Sequence, residues 1–96
     1  MSISPDWKAR LKYGKLTTPF THYTLLADVE VTNEAGQISK AWVGLKIWAE
    51  TEDEAIDILG DIGTVEGYTI KGEINIYKTE PQEPPGESPS AYGLNL

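Results

Sequence analysis

At 96 residues the chain has room for one hydrophobic core and not two, and its 40% of apolar residues can fill that core. It has no cysteine, which excludes disulfide frameworks, thiolate metal sites and cysteine nucleophiles, and makes a reducing, cytoplasmic setting the expectation. The net charge of −7 is unevenly held: residues 1–46 carry six Lys/Arg against four Asp/Glu, and residues 47–96 two against eleven, an excess that repels nucleic-acid phosphates and suits either a basic protein partner or plain solubility.

The first residues, Met1 to Asp6, show no basic segment followed by an apolar run, and nowhere do eighteen apolar residues follow one another. Neither a signal peptide nor a membrane partner is expected. Residues 7–13, Trp-Lys-Ala-Arg-Leu-Lys-Tyr, alternate strictly, with Trp7, Ala9, Leu11 and Tyr13 on one side and three basic residues on the other. This pattern predicts a first strand. The competing reading is a short helix capped by Ser4, with Pro5 at its first position and Gly14 as its terminator.

Residues 22–32 place Tyr23, Leu25, Ala27, Val29 and Val31 on one face and Thr24, Asp28 and Glu30 on the other, so a second strand is predicted. A five-residue connection, Asn33 to Gln37, then leads into an extended run from Ile38 to Ala49, and the two runs should pair as an antiparallel hairpin. Along that run Ala41, Val43, Leu45 and Ile47 take the core side, which leaves Trp42, Lys46 and Trp48 facing out.

Thr51-Glu52-Asp53-Glu54 has the form of a capping box, so a helix starts there, with Ala55, Ile58, Leu59 and Ile62 as its buried stripe. Gly63 is the expected helix end and Gly60 a point of close packing. Residues 68–78 alternate again, Tyr68, Ile70, Gly72, Ile74 and Ile76 against Thr69, Lys71, Glu73, Asn75 and Tyr77, and give the last strand. The expected fold is α+β: a four-stranded antiparallel or mixed sheet, in the order β-β-β-α-β, with one helix packed on one face.

Residues 1–79 form this single domain. From Glu80 to Leu96 the composition shifts to an acidic, proline-rich C-terminal tail bearing Pro81, Pro84, Pro85 and Pro89 in polyproline-like form. Its end, with Tyr92, Leu94 and Leu96, has three destinations: the chain's own sheet, a partner's sheet edge, or solvent.

No residue set carries recognisable chemistry. His22 is the single histidine and no Gly-x-Ser-x-Gly elbow accompanies it, so no catalytic residue is assigned and the chain is expected not to be an enzyme. The acids Glu50 to Asp61 lack the ligand spacing of a calcium loop, and no two-histidine motif exists; neither a metal nor a cofactor is expected. Gly60, Gly63 and Gly67 follow a helix instead of preceding one, which argues against a phosphate cradle. Lys8, Arg10 and Lys12 read more simply as a charged edge than as a nucleic-acid surface.

What remains are surface features. Asp53, Asp57 and Asp61 fall four apart on the outer side of the helix, where like charges cost stability. Trp42, Trp48 and Tyr77 lie on outward strand faces, and tryptophan and tyrosine are the usual anchors of protein interfaces; the alternative for the two tryptophans is that the N-terminal segment or the tail folds over them.

The stretches Lys46 to Thr51 and Gly72 to Pro81, then Pro84-Pro85 and Tyr92-Gly93, resemble a group of short uncharacterised bacterial proteins, over roughly residues 40–93. The resemblance implies a bacterial or phage origin and transfers no activity to any position. The sequence therefore leads to a non-catalytic protein-binding domain, an inhibitor or immunity-type protein, with Trp42, Trp48, Tyr77, Asp53, Asp57 and Asp61 as contact residues for another protein of basic character. The alternative is a structural or assembly module that forms a homo-oligomer, and a small-ligand binder or enzyme using a pocket near His22 is the minor third.

Overall fold

The computed structural model describes residues 5–96, which comprise a short helix α1 (Trp7–Lys12), strands β1 (Thr21–Thr32) and β2 (Ile38–Ala49), helix α2 (Glu52–Glu66), and strands β3 (Tyr68–Lys78) and β4 (Ser90–Asn95). The strands form one antiparallel sheet in the order β3-β1-β2-β4. The α+β class and the four-stranded sheet are as expected; the identity of two elements is not.

Residues 7–12 are helical, not the predicted first strand. Alternation over seven residues also satisfies a helical spacing, because Trp7 and Leu11 are four apart. These two are half-buried while Ala9 and Tyr13 are exposed, so burial follows the helical spacing and not the two-residue one. Gly14, with φ of +76°, follows the helix as the alternative reading expected. The proposed cap, Ser4, lies outside the described residues.

The missing strand comes from the other end of the chain. Ser90–Asn95 pairs with the outer edge of β2, Lys46 opposite Tyr92 and Trp48 opposite Ser90. Between these pairs and Gly44–Asn95 the register shifts, and Gly93 takes a left-handed φ of +68° at the bulge. Of the three destinations open to the tail, its own sheet is the one taken.

The β1–β2 hairpin is closed by Asn33, whose side-chain oxygen accepts from the backbone N–H of Ala35 and of Gln37, both at 2.9 Å. Its register is continuous from Thr21–Ala49 to Thr32–Ile38. β2 and β3 flank β1 and run parallel to each other, so the connection carrying α2 has to pass over β1. That crossing puts α2 on the face bearing Tyr23, Leu25, Ala27, Val29, Val43, Leu45 and Ile47, which with Ala55 and Leu59 make the core. Leu25, Ile47 and Leu59 are fully buried, and each such side chain stabilises the fold by about 1.5–3 kcal/mol.

α2 begins as predicted: Thr51 Oγ1 accepts from the Glu54 N–H at 3.1 Å, and the Glu54 carboxylate reaches back to the Glu50 N–H at 2.8 Å. Its end differs. The helix runs past Gly63 to Glu66, and Gly67, with φ of +90°, provides the left-handed cap. Gly63 instead admits the Tyr68 ring, since a Cβ there would lie 2.7 Å from a ring carbon. The Tyr68 hydroxyl then donates to the Leu59 carbonyl at 2.6 Å. Gly60, expected to mark close packing, has open space around it.

β3 also departs from its simple alternation. Between the pairs Ala27–Ile74 and Val29–Ile70 the register shifts, so that three residues of β3 stand against Asp28 alone. Within this bulge Gly72 turns away from the core face assigned to it: a Cβ there would lie 2.8 Å from Asp28 Oδ2. Among the described residues no helix is long and apolar enough to cross a membrane.

Candidate functional site

Only one face of the sheet is covered by α2. On the other face the hairpin register sets Asp28 opposite Trp42, Glu30 opposite Lys40, and Thr24 between Lys46 and Tyr77. Trp42 is 59% exposed and Tyr77 52%. Four residues of β1 separate their partners, which at about 3.3 Å per residue places the two rings roughly 13 Å apart along the strand.

Around Trp42 the face is concave. A groove of about 390 Å³ is lined by Asp28, Glu30, Lys40, Trp42, Lys71 and Gly72 among others. The bulge at Gly72 creates it, because the strand on that side carries no side chain against Asp28. Lys71 Nζ is 3.9 Å from Glu30 Oε1, which ties one of the two acids to β3. The half-buried carboxylate of Asp28 has no hydrogen-bond or ion-pair partner among the described residues.

At the other end of the same face the tail closes over the sheet. Trp48 is 3% exposed, its indole N–H donates to the Glu83 carbonyl at 2.9 Å, and Pro85 is buried nearby. The His22 ring meets Trp48 edge-on at 4.9 Å. The Tyr92 oxygen accepts from the backbone N–H groups of Gln82 and Glu83 at 2.9 and 3.3 Å. With both lone pairs so used, its O–H is left to donate to His22 Nε2 at 2.6 Å.

That bond assigns the tautomer: Nδ1 carries the hydrogen and gives it to Thr79, whose carbonyl and hydroxyl oxygens lie 3.1 and 3.0 Å away. Burial pushes the His22 pKa below its ordinary value and the charge of Lys46 pushes in the same direction, against the Thr79 carbonyl. A cavity of about 660 Å³ reaches this ring from the side of Leu16 and Phe20. Both imidazole nitrogens are nevertheless engaged, and neither partner is a carboxylate, so the arrangement works as a clasp on the tail. No three His, Asp or Glu side chains converge on one point among the described residues.

The six contact residues expected from sequence do not share a surface. Trp42 and Tyr77 are exposed on the open sheet face. Trp48 points to that face but lies beneath the tail. Asp53, Asp57 and Asp61 are exposed on α2, on the far side of the molecule. Sequence reasoning passed over Asp28 and Gly72, because the pattern predicts the hairpin but leaves its register open, and the observed pairing is what sets Asp28 opposite Trp42. It also passed over Tyr92 as a partner of His22, a contact across 70 positions with no local signal.

No protein-family model, curated protein or solved structure matches the chain.

Proposed function

We propose that the chain is a non-catalytic protein-binding domain that meets its partner through the uncovered sheet face, with Trp42 and Tyr77 as anchors, in the manner of an inhibitor or immunity-type protein. The observation that carries this reading is the 59% exposure of Trp42 beside a mixed-charge groove on the sheet face opposite the one that packs on α2. A large aromatic ring held out from a rigid strand loses little conformational freedom on binding, which is the usual property of an interface hot spot. The acids of α2 sit too far round to touch the same partner patch; their role is to draw a basic partner in at long range.

The test is site-specific photo-crosslinking in the cell of origin, with a benzoylphenylalanine at position 42, 77 or 57. Discrete adducts from 42 and 77, absent from 57, support the reading; equal adducts from all three sink it.

A homo-oligomer is the second reading, favoured by one observation. β4 covers the outer edge of β2 only from Gly44 to Trp48, so among the described residues no strand lies beside Ile38 to Val43 there, and Ile38 is 64% exposed. Light scattering on the purified chain separates the two, since a twofold mass without any other protein supports assembly.

A further inference from the structure

On the open face Asp28, a carboxylate with no ion pair among the described residues, stands opposite Trp42, an exposed ring. They are opposite residues of neighbouring strands, so their Cβ atoms stand about 4.5–5.5 Å apart. Gly72 backs the carboxylate closely, a Cβ there falling 2.8 Å from Oδ2 and 2.9 Å from the Asp28 Cβ. The carboxylate is thereby held half-buried at the groove wall, beside the indole.

Among the described residues no cation is paired with Asp28 or lies over Trp42. Lys71 is drawn to Glu30 at 3.9 Å, and Lys40 stands opposite Glu30 and not Asp28. The lysines that do lie over aromatic rings are Lys8 over Trp7 and Lys12 over Tyr13; no cation covers Trp42 among the described residues. A cation at the Asp28 oxygens would sit in the groove that Trp42 also lines, where a carboxylate and an aromatic face can both attract it.

From this juxtaposition we infer that Asp28 and Trp42 form a subsite for an arginine side chain of the partner protein, the guanidinium lying against the indole and forking onto the carboxylate. Arginine fits better than lysine because its planar group stacks and donates in parallel pairs, and because it is more weakly hydrated. Lys40 and Lys71 on the rim repel a second cation, so the residue next to this arginine is neutral or acidic. The inference rests on the protein-binding reading and gives it a partner chemistry.

The probe is N-acetylarginine amide, followed through the indole N–H of Trp42 and the backbone amide of Gly72 by nuclear magnetic resonance, with the neutral isostere N-acetylcitrulline amide as control. The expected result is a shift saturating in the millimolar range with the arginine probe, no saturation with the citrulline probe, and at least a tenfold weaker affinity for Asp28→Asn. Trp42→Leu provides the same readout at Gly72 should Asp28→Asn fail to fold. Equal response to both probes, or an unchanged affinity in the folded variants, overturns the subsite. Crosslinking at position 77 keeps the two readings apart. Arginine binding lost with adducts at 77 retained removes the subsite alone; arginine bound with no adducts at 42 or 77 leaves a cation site on a domain that binds no protein.

Discussion

The hydroxyl of Tyr92 lies 2.6 Å from Nε2 of His22, and through that contact a residue of the proline-rich segment is joined to the start of β1. The same hydroxyl gathers the Gln82 and Glu83 amides, so one phenol fixes both the tail's path and its terminal strand. Tyr92→Phe leaves a buried imidazole nitrogen without its donor and should cost about 1–3 kcal/mol. Urea unfolding measures it, and a loss below a few tenths would mean that the hydroxyl is not what holds the tail.

Acid should weaken the same clasp. Protonated His22 carries a hydrogen on Nε2 and can no longer accept from Tyr92. Because its folded pKa is lowered by burial and by Lys46, both states are neutral above the ordinary value of about 6.5 and stability there is independent of this group. As pH falls below that value the unfolded chain takes up the proton more readily than the folded one, and stability declines until the folded pKa is reached. Denaturant midpoints at pH 7.5 and 5.5 for the wild type and for His22→Gln check the sign. The wild type should lose the larger amount, and equal losses would assign the effect to the carboxylates.

The two glycines of α2 make a paired prediction. Gly63→Ala sets a methyl 2.6 Å from the Tyr68 carbonyl oxygen and 2.7 Å from its ring, and such overpacking costs about 1–3 kcal/mol, more than the roughly 1 kcal/mol that alanine returns in helix propensity. Gly60→Ala meets nothing within 4 Å and should stabilise by up to about 1 kcal/mol. Melting curves of the two variants should therefore move in opposite directions.

Removing residues 80–96 should expose Trp48 and free the whole outer edge of β2. In a chain whose other tryptophans, Trp7 and Trp42, are replaced by phenylalanine, emission then comes from Trp48 alone and should shift to longer wavelength on truncation. Light scattering should report association at the same time, because a long apolar strand edge has lost its cover. Unshifted emission would show that something other than the tail shields the ring.

Much of this fold was written in local pattern. The alternation of β1 and β2, the connection from Asn33 to Gln37 and the Thr51 cap give the hairpin and the start of α2 without tertiary help, whereas the pattern leaves open the register that sets Asp28 against Trp42. The unread parts depend on distance or on degeneracy. Trp7 and Leu11 satisfy both a two-residue and a four-residue period, so only packing could decide α1. β4 is six residues that follow a proline-rich stretch, and its pairing is with an edge that sequence could not show to be vacant. Gly63 and Gly67 both suit a helix end, and the choice fell to Tyr68, whose ring needs the space at Gly63.

The charge ridge and the open face should separate cleanly in a binding measurement. Asp57 and Asp61 are four apart on α2, and replacing both by lysine reverses the sign of the ridge while keeping two like charges at that spacing, so their mutual repulsion is unchanged. The ridge lies across a helix and a sheet from Trp42, a distance beyond the screening length of about 8–10 Å at physiological salt. The affinity of N-acetylarginine amide should thus stay within about twofold of the wild type for Asp57→Lys/Asp61→Lys at that salt, while Asp28→Asn loses it. At low salt the same double variant should bind the probe more weakly, because the attraction lost is long-ranged and reappears when screening is removed. A large loss at physiological salt would place the helix acids in the contact itself and return the site to the far side of the molecule.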